Sequence, residues 1–361
     1  MTQISPSSET FQAAFVPIYP AHTYRRTPPN LFNLTCSSPD VAMPFLQIVS
    51  QPTASCPAEG VYFIESCHIY EAKYILLDGG EWLSQTVVDL GIADQLLPVL
   101  RDVIRGNHAR TLERHADPTV VIAKAGAANY GHVLAEILPK IINIKRLGLA
   151  RIRLLIPVEM GVYIPVVTDL LRAVGIHAEL RIMQKGELLS AEAIYFFSAV
   201  SRHDSRKSQT FLELRAVLAQ LYGNATERDR RLFVQRGPND GRKLTNTEQV
   251  EAVFARYGYQ SIYPVSLSLP DQIRLFSSAS HVAGSLGAGL SNIAFAPTGC
   301  EVAMIDPGLG DFFFWDFACL VGHRFTWLFA GPLRGYTEEL ARSDFAYDIP
   351  ILESNLRFLY G

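Results

Sequence analysis

Short apolar strand patterns alternate with amphipathic helix patterns over most of the chain after residue 118. A first run predicts strands at 119–123, 151–157 and 193–197, with two helices between them, the first kinked at Pro139. A second run predicts strands at 232–235, 261–263, 281–283 and 301–305, separated by helices that begin near residues 245 and 268. This alternation predicts an α/β fold with parallel sheets covered by helices.

The polar segment 201–208 separates the two runs and predicts two Rossmann-like domains that face a cleft, one over 1–205 and one over 206–361. Residues 1–60 contain 9 of the 21 prolines, and we expect them to be irregular because proline lacks a backbone donor. The C-terminal tail is expected to pack back on the first domain.

Composition excludes several classes of protein. Lys plus Arg total 32 and Asp plus Glu total 35, so the net charge of −3 argues against a general nucleic-acid binder. Hydrophobic residues make up 48% of the 361 residues, as in a globular protein. The 5 cysteines form no Cys-x-x-Cys pair, which disfavours a zinc site. Without a long apolar run or a signal-peptide pattern, the expected location is the cytoplasm.

A glycine-rich segment, Gly284-Ser285-Leu286-Gly287-Ala288-Gly289-Leu290-Ser291-Asn292, lies between a predicted strand and a helix. Such a turn allows close backbone approach, and the helix start favours an anion; the alternative is a turn that only permits close packing. Gly287-x-Gly289 also begins a dinucleotide fingerprint, and Asp306 lies 19 residues later at a strand end, where a ribose-binding acid would lie. The third position is Asn292 instead of glycine, so the fingerprint is partial.

Positive charge is concentrated over residues 228–243, which carry six basic and two acidic side chains. Arg236 and Arg242 fall in the loop after a predicted strand, which is the ligand-facing end of a parallel sheet. Guanidinium groups suit phosphate oxygens, so this loop favours an anionic ligand; the alternative is a solvated surface loop.

His132 and Glu136 are four residues apart at the start of a predicted helix, after a small-residue loop. A titratable pair at this place fits a general base, and the alternative is a local hydrogen bond or cap. No Asp-x-Asp, His-Glu-x-x-His, Walker loop or Gly-x-Ser-x-Gly occurs, which disfavours metal-bound nucleotide-sugar, metalloprotease, P-loop and serine-hydrolase sites.

Four segments, taken in order, resemble glycosyltransferase family 61, bacterial members of which are linked to surface polysaccharides. They are Asn129-Tyr130-Gly131-His132 with Glu136-Ile137-Leu138-Pro139; Arg236, Arg242 and Asn246-Thr247-Glu248; Leu269-Pro270-Asp271-Gln272-Ile273; and the glycine-rich segment with Phe295-Ala296-Pro297-Thr298-Gly299. Together they cover about residues 60–310. One departure is Leu286, where many eukaryotic members have histidine.

The resemblance implies a GT-B fold and an inverting, metal-independent transfer, with no cofactor beyond the nucleotide-sugar. The domain over 1–205 would then lie on the acceptor side and supply the base, and the domain over 206–361 would bind the donor. The donor-side residues implied are Arg236, Arg242, Asn246, Gly287, Ala288, Gly289, Asn292 and Asp306. His132 is the first choice of base and Glu136 the second, and Asn129 and Tyr130 are placed on the acceptor side.

The resulting hypothesis is a cytoplasmic, bacterial-type glycosyltransferase that moves a sugar from a nucleotide-sugar to a glycan or lipid-linked glycan, in surface polysaccharide assembly. Peripheral contact with the inner face of the membrane fits a lipid-linked acceptor. Two alternatives stay open. The partial fingerprint and Asp306 allow an NAD-type oxidoreductase, and the departure at Leu286 allows a non-catalytic glycan- or nucleotide-binding protein.

Overall fold

The computed structural model describes residues 13–361 except 79, 87–89, 107–108, 203–205, 224–226 and 238–240. Residues 1–12, part of the polar segment 201–208 and the tip of the loop between Arg236 and Arg242 therefore lie outside the described residues. The chain divides into two units. The first comprises Met1–Ala21, Pro57–Ala128 and Ile137–Val200; the second comprises His22–Cys56, Asn129–Glu136 and Ser201–Gly361.

The strands are β1 (Ala13–Tyr19), β2 (His22–Arg25), β3 (Asn30–Phe32), β4 (Thr53–Cys56), β5 (Glu59–Tyr70), β6 (Tyr74–Leu77), β7 (Arg110–Thr111), β8 (Thr119–Val121), β9 (Arg151–Pro157), β10 (His177–Met183), β11 (Leu188–Phe197), β12 (Arg230–Val234), β13 (Gln260–Ile262), β14 (Ala279–Ser285), β15 (Glu301–Asp306) and β16 (Arg324–Phe329). The α-helices are α1 (Pro39–Val49), α2 (Leu90–Arg105), α3 (Tyr130–His132), α4 (Lys140–Arg146), α5 (Ile164–Ala173), α6 (Thr210–Tyr222), α7 (Thr247–Ala255), α8 (Leu269–Phe276), α9 (Phe313–Val321), α10 (Glu338–Arg342) and α11 (Ile349–Tyr360).

The first unit contains a mixed sheet with the order β1-β5-β11-β8-β9-β10. Strands β1, β5 and β11 pair antiparallel, and β11, β8, β9 and β10 pair parallel. Buried side chains from β5, β8, β9 and β11 form one hydrophobic cluster, which includes Ile64, Val121, Leu155 and Phe196. From β8 to β10 the parallel strands alternate with helices as the sequence predicts, whereas β11 follows β10 with no helix between them.

The second unit contains a parallel sheet with the order β13-β12-β14-β15-β16-β3. Helices α7 and α11 cover its core through Phe254 and Leu352, which pack with Phe233 of β12 and Ile305 of β15. Since neighbouring strands are parallel, the loops after β12, β14 and β15 leave the sheet at the same edge. The predicted α/β class with parallel sheets is confirmed, and the GT-B-like arrangement stays a prediction.

The irregular structure expected over residues 1–60 is wrong for the described part of that segment, which contains β1 to β4, α1 and the start of β5. Two of these prolines occupy positions that tolerate them, whereas Pro44 lies inside α1. Pro17 lies in β1 at the edge of its sheet, next to a register shift, and Pro39 lies in the first turn of α1. A high proline content therefore does not exclude regular secondary structure here.

A buried ion pair joins the His22–Cys56 segment to α9 within the second unit. Arg26 contacts Asp316 at 2.8 Å, and both side chains are at most 5% exposed. The Tyr24 hydroxyl donates to the same carboxylate at 2.6 Å, and burial raises the pKa of this phenol above its ordinary value. Removing either charge would leave the other side chain buried without this ion pair.

The helix predicted to begin near residue 245 begins two residues later. Helix α7 begins at Thr247, and its N-cap residue Asn246 makes no side-chain cap bond. The Asn246 side chain instead pairs with the backbone of Tyr347, donating to its carbonyl at 2.8 Å and accepting from its N–H at 3.1 Å. Because Tyr347 is 101 positions away, no local sequence pattern could reveal this partner.

Candidate functional site

Two arginines converge on one backbone carbonyl in the second unit. Nη1 of Arg236 donates to the carbonyl oxygen of Leu286 at 2.6 Å, and Nη2 of Arg242 donates to the same oxygen at 3.1 Å. Arg236 also donates to the carbonyl of Gly241 at 2.8 Å, which closes the loop between the two arginines. The loop after β12 and the turn after β14 therefore form one cationic patch at the carboxyl edge of the sheet.

Gly287 makes this convergence possible. A Cβ atom at this position would fall on Nη1 of Arg236 and lie 3.1 Å from its Cζ. The φ of Gly287 is 175°, which is extended backbone open to any residue. Close approach of the guanidinium, and not backbone conformation, thus requires glycine here. Gly287 is buried, whereas Ala288 is exposed and Gly289 partly exposed, so the tip of the turn faces solvent.

Arg242 is a partly buried cation. Burial lowers its pKa from the ordinary value, while the negative charges of Asp306 and Asp311 act in the opposite direction. No carboxylate within the described ranges lies at salt-bridge distance from this side chain. Arg242 also has a φ of +60°, in the left-handed region that costs energy for a non-glycine residue. Such a position is maintained only when its surroundings fix it.

The turn continues into a 3₁₀-helical segment, Ala288–Phe295, whose buried Asn292 makes three side-chain hydrogen bonds. Its Oδ1 accepts from the Tyr130 hydroxyl at 2.6 Å. Its Nδ2 donates to Oε1 of Gln272 at 2.7 Å and to the carbonyl of Gly289 at 2.9 Å. Asn292 therefore holds the turn in place, and both the oxygen and the nitrogen of its amide group are bonded within the protein.

The Asn129–Glu136 segment comes from the N-terminal half of the sequence but groups with the second unit. Asn129 caps α3 by accepting from the N–H of Gly131 at 2.8 Å. A Cβ atom on Gly131 would lie 3.2 Å from Oγ of Ser291 and 3.4 Å from the ring of Phe313, so glycine permits tight packing on the Ala288–Phe295 segment. Helix α3 and the glycine-rich segment are thus in direct contact.

His132 and Glu136 form a pair, with Nδ1 of the imidazole 3.0 Å from Oε1 of the carboxylate. The histidine side chain is 12% exposed and the glutamate side chain 3% exposed. Glu136 lies in a π-helical segment, Val133–Ile137, a rare conformation that is frequent at functional sites. With Nδ1–H donating to the carboxylate, Nε2 is the ring nitrogen that can take up a proton.

Asp306 organises the loop after β15. Its carboxylate is fully buried and accepts from the N–H groups of Gly308 at 2.8 Å, Leu309 at 2.7 Å and Gly310 at 3.0 Å, and from the indole of Trp327 at 2.8 Å. Burial raises the pKa of this carboxyl above its ordinary value. A ribose contact by Asp306 stays a prediction, and it would have to compete with these four bonds.

The structure brings some of the sequence-predicted residues into contact with one another and gives others separate partners. Arg236, Arg242 and Gly287 meet directly, and Tyr130, Gly289 and Asn292 are linked by hydrogen bonds. Asn246 contacts the backbone of Tyr347 instead. Sequence reasoning missed Gln272, although it lies in the Leu269–Ile273 motif, because only the Asn292 contact gives it a role.

The far end of the glycine-rich segment is held by two further residues that sequence reasoning did not identify. Arg215 donates to the carbonyls of Ala294 at 2.8 Å and Ala296 at 2.7 Å. Nε2 of buried His323 lies 2.8 Å from the carbonyl of Ile293, and burial lowers the pKa of this imidazole to about 4. The imidazole is therefore neutral near pH 7 and donates to that carbonyl.

Two further properties of the described residues concern metal-ion ligands and helices that could cross a membrane. Among them, no group of three or more His, Cys, Asp or Glu side chains is arranged to hold a metal ion. No helix in this part of the chain combines the length and the apolar character that crossing a membrane requires.

The middle of the chain matches the model of a known protein family. No curated protein matches the chain. The family model described as Glycosyltransferase 61 matches residues 130–303. The matched range contains His132, both loop arginines and the glycine-rich turn, and the family implies transfer of a sugar from a donor to an acceptor. Residues 130–303 belong to glycosyltransferase family 61, as the order of the motifs predicts.

Proposed function

We propose that this glycosyltransferase uses a nucleotide-sugar donor and transfers the sugar to a hydroxyl of a glycan or lipid-linked glycan, with inversion and without a metal. The observation that carries the proposal is the convergence of Arg236 and Arg242 on the Leu286 carbonyl beside Gly287. A nucleoside diphosphate leaves with additional negative charge, and guanidinium groups at the turn can stabilise that charge.

The cationic patch has a physical preference for an anion. Two guanidinium groups held on one carbonyl repel each other, and no described carboxylate forms an ion pair with Arg242. A diphosphate placed at the exposed Ala288 tip would relieve this repulsion and accept hydrogen bonds from arginine and from backbone N–H groups of the turn.

In the proposed reaction, Nε2 of His132 removes the proton from the acceptor hydroxyl. The acceptor oxygen attacks the anomeric carbon and forms the new glycosidic bond, while the bond from that carbon to the diphosphate oxygen breaks. The electron pair of the broken bond leaves with the nucleoside diphosphate. Glu136 accepts the Nδ1–H bond, fixes the tautomer of the imidazole and stabilises the imidazolium that forms.

We also propose a wider setting for the enzyme. We place the enzyme in a GT-B-like arrangement, in the cytoplasm or at the inner face of the membrane, with a role in surface polysaccharide biosynthesis. Gly289, Asn292 and Asp306 would hold the loops around the donor, and Asn129 and Tyr130 would lie on the acceptor side. Asn246 would act through the start of α7.

The test is a panel of nucleotide-sugars, scored by release of nucleoside diphosphate with and without glycan acceptors. We expect turnover of at least one donor, lost in His132→Ala and Arg236→Ala. Arg228→Ala is the matched control, because it removes the same charge from the same basic segment at an exposed site. Equal activity in all three variants would refute the site, and thermal stabilisation by NAD but by no nucleoside diphosphate would favour the oxidoreductase alternative.

A further inference from the structure

The hydrogen-bonded chain Tyr130–Asn292–Gln272 links the segment that carries His132 to the turn that carries Gly287 and Gly289. The Tyr130 hydroxyl donates to Asn292, and Asn292 donates to Gln272 and to the Gly289 carbonyl. Gln272 in turn donates through Nε2 to the carbonyl of Leu267 at 3.0 Å, just before α8. Three separate parts of the sequence therefore meet at one buried amide.

The direction of each bond is fixed by chemistry. The Gly289 carbonyl can only accept, so the amide nitrogen of Asn292 must face it. The Leu267 carbonyl likewise can only accept, so Nε2 of Gln272 faces it and Oε1 faces Asn292. Oδ1 of Asn292 then remains for Tyr130, and the phenol must be the donor. No amide flip satisfies these partners equally well.

Burial makes the chain difficult to replace by solvent. Asn292 is fully buried and Gln272 is 8% exposed, so water does not readily take over a lost bond. A buried amide group that loses its partner keeps the cost of its desolvation. Tight packing of Gly131 against Ser291 adds a second contact between the same two segments. Both contacts therefore set the spacing between α3 and the turn.

We infer that Tyr130 and Gln272 are positioning residues: Tyr130 sets the location of the His132 base relative to the diphosphate turn, and Gln272 sets the turn itself. This inference deepens the proposed function and rests on it. The two positions have separable effects. Loss of the Tyr130 hydroxyl leaves Asn292 bound to Gln272 and to Gly289, so the turn stays in place while the base segment loosens. Loss of the Gln272 amide frees one Asn292 N–H and loosens the turn.

The first arm of the test uses Tyr130→Phe, with Tyr263→Phe as the matched control. Tyr263 lies in the same unit, and its hydroxyl makes no hydrogen bond with the described residues. Small displacements of a catalytic group cost up to roughly 100-fold in rate, so we expect kcat of Tyr130→Phe to fall about 10- to 100-fold. The KM for the donor and the affinity for inorganic pyrophosphate should change by less than about twofold.

The second arm uses Gln272→Met, which keeps the length of the side chain and removes its amide. We expect its affinity for inorganic pyrophosphate to fall about tenfold, in contrast to Tyr130→Phe. Hydrogen exchange adds a readout that needs no turnover. Exchange should increase over residues 130–137 in Tyr130→Phe, and over 286–292 in Gln272→Met.

The outcomes separate this inference from the proposed function. If wild-type protein turns over no donor, the proposed function fails, and the pyrophosphate and exchange measurements still decide whether the chain holds the turn. Full kcat in Tyr130→Phe would overturn the inference. Parallel loss of kcat and pyrophosphate affinity in that variant would also overturn it, because it would indicate direct contact of Tyr130 with the donor.

Discussion

Gly287→Ala is the most specific perturbation that the site offers, because it adds one methyl group at the point where Arg236 lies against the turn. The new Cβ would lie 3.1 Å from Cζ of Arg236 and would overlap Nη1. Since the φ of 175° suits alanine, the backbone need not change. The guanidinium is the group that must move, and it would lose its 2.6 Å bond to the Leu286 carbonyl.

The size of the effect on binding follows from the charged contact that a displaced Arg236 could no longer make with the diphosphate. Hydrogen bonds to charged groups contribute about 1.5–3 kcal/mol, and each 1.4 kcal/mol is tenfold in affinity. Displacing Arg236 from the diphosphate position should therefore weaken nucleoside diphosphate binding about 10- to 100-fold. The protein stays folded, because replacing glycine by alanine at a compatible backbone also stabilises by about 0.4–1 kcal/mol through the unfolded state.

The assay is isothermal titration calorimetry, which measures the affinity for nucleoside diphosphate and for inorganic pyrophosphate. Gly161→Ala is the matched control, since a Cβ there has no neighbour within 4 Å and its effect on binding should be negligible. Binding by Gly287→Ala within about twofold of wild type would refute the argument that Arg236 must lie on the turn to bind the diphosphate. A loss of binding in the control as well would indicate a general effect on folding.

Three further outcomes are expected. Burial lowers the pKa of His323 from 6.5 to about 4, so the neutral imidazole contributes fully to stability above pH 6.5. This contribution, about 3 kcal/mol, is lost as the pH falls from 6.5 to 4. Urea titrations across this range should show a shallower pH dependence for His323→Gln, and an unchanged slope would contradict the assignment. Arg26→Met removes the ion-pair partner of buried Asp316, which keeps the Tyr24 hydroxyl and the charge of Lys207, and should cost about 3 kcal/mol by chemical denaturation; the double variant with Asp316→Leu should restore part of this loss. Asp306→Asn turns amide hydrogens toward donors such as the Trp327 indole, so the melting temperature should fall. The affinities for nucleoside diphosphate and for pyrophosphate should change equally. A loss of affinity for the nucleoside diphosphate alone would instead identify a ribose contact.

Local sequence patterns identified much of the α/β architecture. The predicted strand at 151–157 matches β9 at both ends, and Ser268 caps α8 by accepting from the N–H of Asp271. Pro139 ends one helical segment and precedes α4, as expected. These features depend on side-chain periodicity and on bonds within a few residues, which the sequence itself contains.

Elements held mainly by distant contacts were missed. Strand β16 and helix α9 are buried almost throughout, so neither shows a polar face that would reveal its periodicity. The strands in residues 13–56 were obscured by proline, and β3 exists because it pairs with β16, nearly 300 positions later. Pairings of this kind depend on tertiary packing, which no short window contains.

The sequence by itself determined the family, the glycine-rich turn and the chemical types at the site: arginine for an anion, and a histidine–glutamate pair for a proton. Only the tertiary structure decided which of these residues meet. It brought Arg236 and Arg242 to one carbonyl, grouped Asn129–Glu136 with the second unit, and engaged Asp306 and Asn246 in bonds to the protein itself. Residue type sets what a side chain can do, but the distances between segments far apart in the chain are set by how the whole sheet packs.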